Sequence, residues 1–152
     1  MTSIADLNPD VVLAALLDKK VSVQTSATQS YAIRAYADEE RPNKGVADEF
    51  IDIEWNGSAR SLTRPLGLFR GNLALVIWCK ARADGRAKKK RVKQIIAQCA
   101  ELVDGKLSQG FFFEFNADNV ITPTTANLTT GYSTTILNVE WHITDEFYKQ
   151  DY

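Results

Sequence analysis

Asp52 and Glu54 stand two residues apart in "FIDIEW", the spacing that puts two carboxylates on one face of a strand, and Lys80 ends the apolar run "VIWCK". Two carboxylates with a lysine on a following strand are the working parts of a metal-dependent nuclease, in which the acids share a divalent cation and the ammonium steadies a phosphate. That arrangement also needs an acid two residues before the lysine, and this chain has Trp78 there. The pair therefore reads as the polar face of an ordinary strand. His142 is the single histidine; it sits between Trp141 and Ile143 in an alternating strand, the setting of a surface or interface side chain. Without a Cys or His cluster no zinc site is expected. Cys79 and Cys99, each among apolar neighbours, read as small buried hydrophobes and not as a disulfide or redox pair. No G-x-x-x-x-G-K-[ST], G-x-G-x-x-G or G-x-S-x-G segment occurs. The expectation is a protein without cofactor, metal or catalytic residue.

Charge is what the sequence concentrates. The net charge is only -1, but from Lys80 to Lys93 eight basic residues stand against the single acid Asp84. From Asp38 to Glu54 seven acids stand against Arg41 and Lys44. The basic run opens an amphipathic helix whose apolar stripe is Val92, Ile95, Ile96, Cys99, Leu102 and Val103, ending at Gly105. Arg86, Lys90 and Lys93 lie opposite that stripe, with Lys89 and Arg91 at its flanks. A solvated helix face is the plain reading of such a run. However, cations in the first turns oppose the helix dipole by about 0.3–1 kcal/mol each at low salt, which favours an anionic partner. One candidate is a nucleic-acid backbone held without sequence specificity. The other is the acidic segment of a second copy, with Asp38, Glu39, Glu40, Asp48 and Glu49 as the counter-charges. Complementary patches at different places on one surface make head-to-tail contacts, and these can close into rings.

The elements that carry these residues are legible in turn. In "DLNPDVVLAALLDKK", Asn8 is placed to cap a helix, Pro9 suits its first position, Asp10 complements the dipole, and Leu7 can staple onto Val12. "VSVQTSA" and "YAIRAYA" read as strands, followed by a polar loop containing Pro42 and Gly45. In "FIDIEWNG", Ile51, Ile53 and Trp55 share one face. The dipeptide Asn56-Gly57 then predicts a hairpin that brings "SARSL" back beside that strand. "NLALVIWCKAR", from Asn72 to Arg82, is apolar on both faces and reads as a central strand covered on both sides. "GFFFEFN" places Phe111, Phe112, Phe113 and Phe115 on both faces of a strand. "TTILNVEWHIT" puts Leu137, Val139, Trp141 and Ile143 opposite Asn138, Glu140 and His142. The Thr- and Asn-rich stretch from Asn116 to Gly131 reads either as an arm to another subunit or as a surface loop. "DEFYKQDY" reads as a frayed end or an arm.

A chain of 152 residues is about one domain. The order of elements predicts a single α+β domain over 1–152: a mainly antiparallel sheet with an N-terminal helix and a long amphipathic helix packed on it. No apolar run approaches the roughly 20 residues of a membrane-spanning helix, and "MTSIADLNPDVV" lacks the pattern of a secretory leader.

The capped first helix, the strands with a Pro-containing loop, "RGNLALVIWCKAR" running into the amphipathic helix and the closing "GYSTTILNVEWHIT" together resemble the tail-terminator and tail-completion proteins of tailed bacteriophages. The resemblance spans nearly the whole chain and rests on element order and strand character. It implies a small structural subunit, in the tail or neck of a virion assembled in the host cytoplasm, that forms a ring, commonly of six. Such a ring caps the tail tube and offers a surface to head, neck or connector proteins, with DNA passing through it. The long "NADNVITPTTANLTTG" departs from the family pattern and keeps a neck or head-tail connector role open.

Overall fold

The computed structural model describes residues 7–24, 26–42, 47–55, 60–63, 68–84, 86–115 and 131–144. Helix α1 (Pro9–Leu17) is followed by three short strands, β1 (Ser22–Gln24), β2 (Ser30–Ala32) and β3 (Arg34–Tyr36). Then come β4 (Glu49–Trp55), β5 (Arg60–Thr63) and the long β6 (Leu68–Lys80). Helix α2 (Lys89–Val103) leads into β7 (Lys106–Ser108), β8 (Phe111–Phe115) and β9 (Tyr132–Ile143). The architecture is the expected α+β fold: among the described residues, seven strands form one sheet in the order β3-β4-β6-β9-β8-β7, with β5 also on β6. Every pairing is antiparallel except β3 with β4, and β1 with β2 forms a separate hairpin.

The core lies on one side of this sheet. Ile51, Ile53, Leu73, Leu75, Ile77 and Cys79 point into it, as do Leu137, Val139, Trp141, Ile143, Phe111 and Phe113. The buried sides of α1 (Val12, Leu13, Leu17) and of α2 (Val92, Ile95, Cys99, Val103) close over them. β9 alternates as its sequence predicts, because period-2 side chains must serve two different surroundings. Trp141 crosses directly over Gly71 on β6: a Cβ at Gly71 would stand 2.9 Å from Trp141 Cζ2. Gly105, at φ +72, ends α2 in the left-handed conformation expected of it.

α1 closes the outer edge of the sheet. Asp18, just past its end, accepts from Ala35 N at 3.0 Å and from Arg34 Nε at 2.8 Å. Asp10, in its first turn, accepts from Asp38 N at 3.2 Å. Asp18 thus occupies a backbone donor that an open edge strand would present to another chain, and Asp10 holds the chain just beyond that strand.

Several expectations are corrected. Asn8 makes no side-chain cap; Pro9 and the burial of Leu7 and Val12 secure the helix start instead. α2 begins at Lys89, so Arg86 precedes the helix and does not belong to its face. "SARSL" does not fold back on β4. β5 runs on in the direction of β4 along the same edge of β6, where Trp55 pairs with Leu73 and Arg60 with Arg70. The thirteen residues of β6 give room for both, and the chain reverses only after Thr63. β6 is central, but both helices cover the same face of it. Ala74 and Val76, on the second face, are buried without a helix above them among the described residues. The Asn56-Gly57 dipeptide, the 116–130 stretch and the 145–152 end lie outside the described residues.

Candidate interaction surfaces

The nuclease constellation does not assemble. Asp52 and Glu54 do share a face of β4, but Asp52 pairs across the sheet with Val76, four residues from Lys80, or about 14 Å along a strand. Asp52 accepts instead from Arg41 at 3.2 Å, and Lys80 lies 3.9 Å from Asp48. Burial raises the Asp52 carboxyl above its ordinary range, Arg41 opposes that shift, and Glu54 and Asp38 add to it. Among the described residues no group of three His, Cys, Asp or Glu could hold a metal ion. His142 lies tilted against Phe112 on the second face of the sheet, ring centroids 5.1 Å apart. Both thiols are free and buried, and burial pushes Cys79 up to about 11 and Cys99 up to about 12.

The ten charged residues singled out from the sequence divide into two groups. Arg91 and Glu49 are spent on each other, Arg91 Nη1 donating to Glu49 Oε1 at 2.6 Å. Arg91 Nη2 also donates to the Gln24 carbonyl at 3.2 Å, so this cation holds α2 to β4 and β1. Gln98 completes the attachment, accepting from Ser22 N at 2.8 Å and donating to Ser22 O at 2.9 Å. Asp38 accepts from Trp55 N at 3.1 Å, Asp48 lies beside Lys80, and Arg86 stands 3.9 Å from Asp84. Lys89, Lys90, Lys93, Glu39 and Glu40 are exposed and form no ion pair among the described residues. The predicted opposition of segments 38–54 and 80–93 is thus partly satisfied inside one chain.

What remains unpaired is separated in space. The start of α2 sits at the Glu49 end of β4, together with Lys80. Glu39 and Glu40 stand in the loop after β3, between Asp38, which accepts from Trp55 N, and Arg41, which reaches back to Asp52 and Phe50. α2 is polarised along its own length, with no acid in its first turn, no base in its last, and exposed Glu101 and Asp104 toward its end. Asp104 accepts from Phe115 N at 3.1 Å, and Phe115 belongs to the same row of the sheet as Trp55.

The second face of the sheet carries a side-chain cluster that no sequence motif marks. The Phe50 and Trp78 rings stack at 5.6 Å, Tyr132 meets both edge-on, and the Arg41 guanidinium lies 5.0 Å from each of the first two ring centres. Further along are exposed Glu54, Glu140 and Glu114, with Ile136 60% exposed. Arg70, Asn72, Glu114, Glu140 and His142 line a shallow polar recess of about 180 Å³ there. Among the described residues no helix is long and apolar enough to cross a membrane.

No protein-family model matches the chain, and no match is found among curated proteins.

Proposed function

We propose that this chain is a structural subunit that closes with copies of itself into a ring, six being the expected number, and that the ring caps a phage tail tube and joins it to the head or neck. The observation that carries the reading is the separation of unpaired charge. Lys89, Lys90 and Lys93 crowd the start of α2, whereas exposed acids without an ion pair among the described residues lie elsewhere: Glu39 and Glu40 in the loop after β3, and Glu101 toward the end of α2. Surfaces that complement each other from different places on one molecule associate head to tail, and such contacts form rings when the rotation closes. The resemblance of the order of elements to that of the tail terminators supports the placing at a tail tube. A neck or connector position in the same region is the near variant of this reading.

Light scattering across a series of protein and salt concentrations tests it. A discrete closed oligomer that loosens with added salt is the expected result. A strict monomer at every concentration overturns it.

The uncapped, cation-rich start of α2 favours one second reading, a non-specific contact with duplex DNA through Arg86, Lys89, Lys90 and Lys93. Its signature is an affinity that falls steeply with salt and weakens when these residues are replaced by Ala.

A further inference from the structure

Glu114 and Glu140 stand directly opposite each other on β8 and β9, both exposed on the second face of the sheet. Like charges in that relation destabilise a sheet. Neither forms an ion pair among the described residues, and nor does Arg70, which lines the same recess. Glu54 adds a third exposed carboxylate one row away, since its partner Ala74 pairs with Asn138. Four residues along β9 from Glu140 is Ile136, the most exposed of the large apolar side chains described. A carboxylate group left mutually repelling beside an exposed apolar side chain is a surface suited to a cationic, partly apolar partner.

α2 offers such a partner. On its exposed side Lys89, Lys90 and Lys93 are followed by Ala97, whose small side chain lets a backbone approach closely. From Lys90 to Ala97 is about 10 Å along a helix, and from Glu140 to Ile136 is about 14 Å along a strand. The two spacings agree to within the reach of a lysine side chain. α2 and the second face also lie on opposite sides of the sheet, so a contact between them in two copies is head to tail by construction.

We infer that the second face, around Glu54, Glu114, Glu140 and Ile136, is the seat for α2 of a second copy of this chain, with Lys89, Lys90 and Lys93 resting on its carboxylates. The inference rests on the ring reading and deepens it: the counter-surface is the second face of the sheet, which takes only Glu54 from the 38–54 segment, where Asp38, Asp48, Glu49 and Asp52 already serve neighbours within the chain and Glu39 and Glu40 alone remain besides.

Two full-length variants test it, one carrying Glu114→Lys and Glu140→Lys, the other Lys90→Glu and Lys93→Glu, each first checked for native circular dichroism. Light scattering should find each variant alone monomeric at concentrations where the unaltered chain is oligomeric. An equal mixture should regain the oligomer, because every cationic surface then meets an anionic one. The milder Ile136→Ala, which adds no charge, should weaken association about tenfold. If the sheet variant keeps the unaltered oligomer, or the mixture remains monomeric, the seat is elsewhere and only the ring reading survives. If the unaltered chain is itself monomeric throughout, both fall.

Discussion

Arg91 and Glu49, 42 residues apart in sequence, meet at 2.6 Å where the first turn of α2 crosses the start of β4, and Glu49 is wholly shielded from solvent. Its second oxygen, Oε2, has no hydrogen-bond partner among the described residues, so this carboxylate depends on one guanidinium. Removing one member of a buried pair strands the other's charge. Arg91→Ala is therefore expected to cost about 3–5 kcal/mol of stability, and replacing both residues by apolar ones of similar volume much less. Urea denaturation of the single and paired variants checks this; equal losses in the two would refute it.

Asp52 supplies a pH dependence. Burial raises its carboxyl above the ordinary 3.8, so the folded chain holds this proton more tightly than the unfolded one. The stability it contributes is fully present below that ordinary value and is lost as pH rises through the folded value. Arg41 pulls the other way, and Arg41→Ala should move the titration higher still. Carboxyl carbon shifts followed by NMR across acid pH read both values. A midpoint at or below 3.8 in the unaltered chain would contradict the assignment.

Gly71 is predicted to be intolerant of even one methyl group. A Cβ there meets the buried Trp141 indole at 2.9 Å, and Trp141 is hemmed in by Phe111 and Trp55 at centroid distances of 5.8 and 5.9 Å. Overpacking of this kind costs about 1–3 kcal/mol. Gly71→Ala should lower the denaturation midpoint accordingly, whereas Gly105→Ala would act through backbone strain at φ +72, with nothing within 4 Å of the new methyl.

Burial and raised thiol pKa values make Cys79 and Cys99 inert in the folded chain. A disulfide reagent at pH 8 should label neither within the time that it labels both in denaturant. Rapid labelling of Cys99 under native conditions would place α2 further from the sheet than described.

The sequence carried the periodic parts of this fold well. β9 alternates, α2 has an apolar stripe and β6 is apolar on both faces, and each pattern follows from the surroundings that the element meets. Pairing was less legible. Asn56-Gly57 is a local signal for a hairpin, but the length of β6 lets β5 continue in line with β4, and no local residue encodes that length. The charged surface divided in the same way. Lys90 and Lys93 face outward as helical spacing requires, while Arg91, at the edge of the stripe, turns inward to a carboxylate 42 residues away. Glu140 reads in the sequence only as part of a polar strand face and Glu114 carries no signal of its own, because only the register of β8 against β9 sets them opposite each other.

β9 lies between β6 and β8, although it comes after both in the chain. During synthesis, β6 therefore emerges with one long edge unpaired, and its apolar side chains wait more than fifty residues for the strand that completes them. A nascent chain interrupted before Tyr132 would present that edge to other chains, which makes the ribosome-bound stage the period of greatest aggregation hazard for this protein.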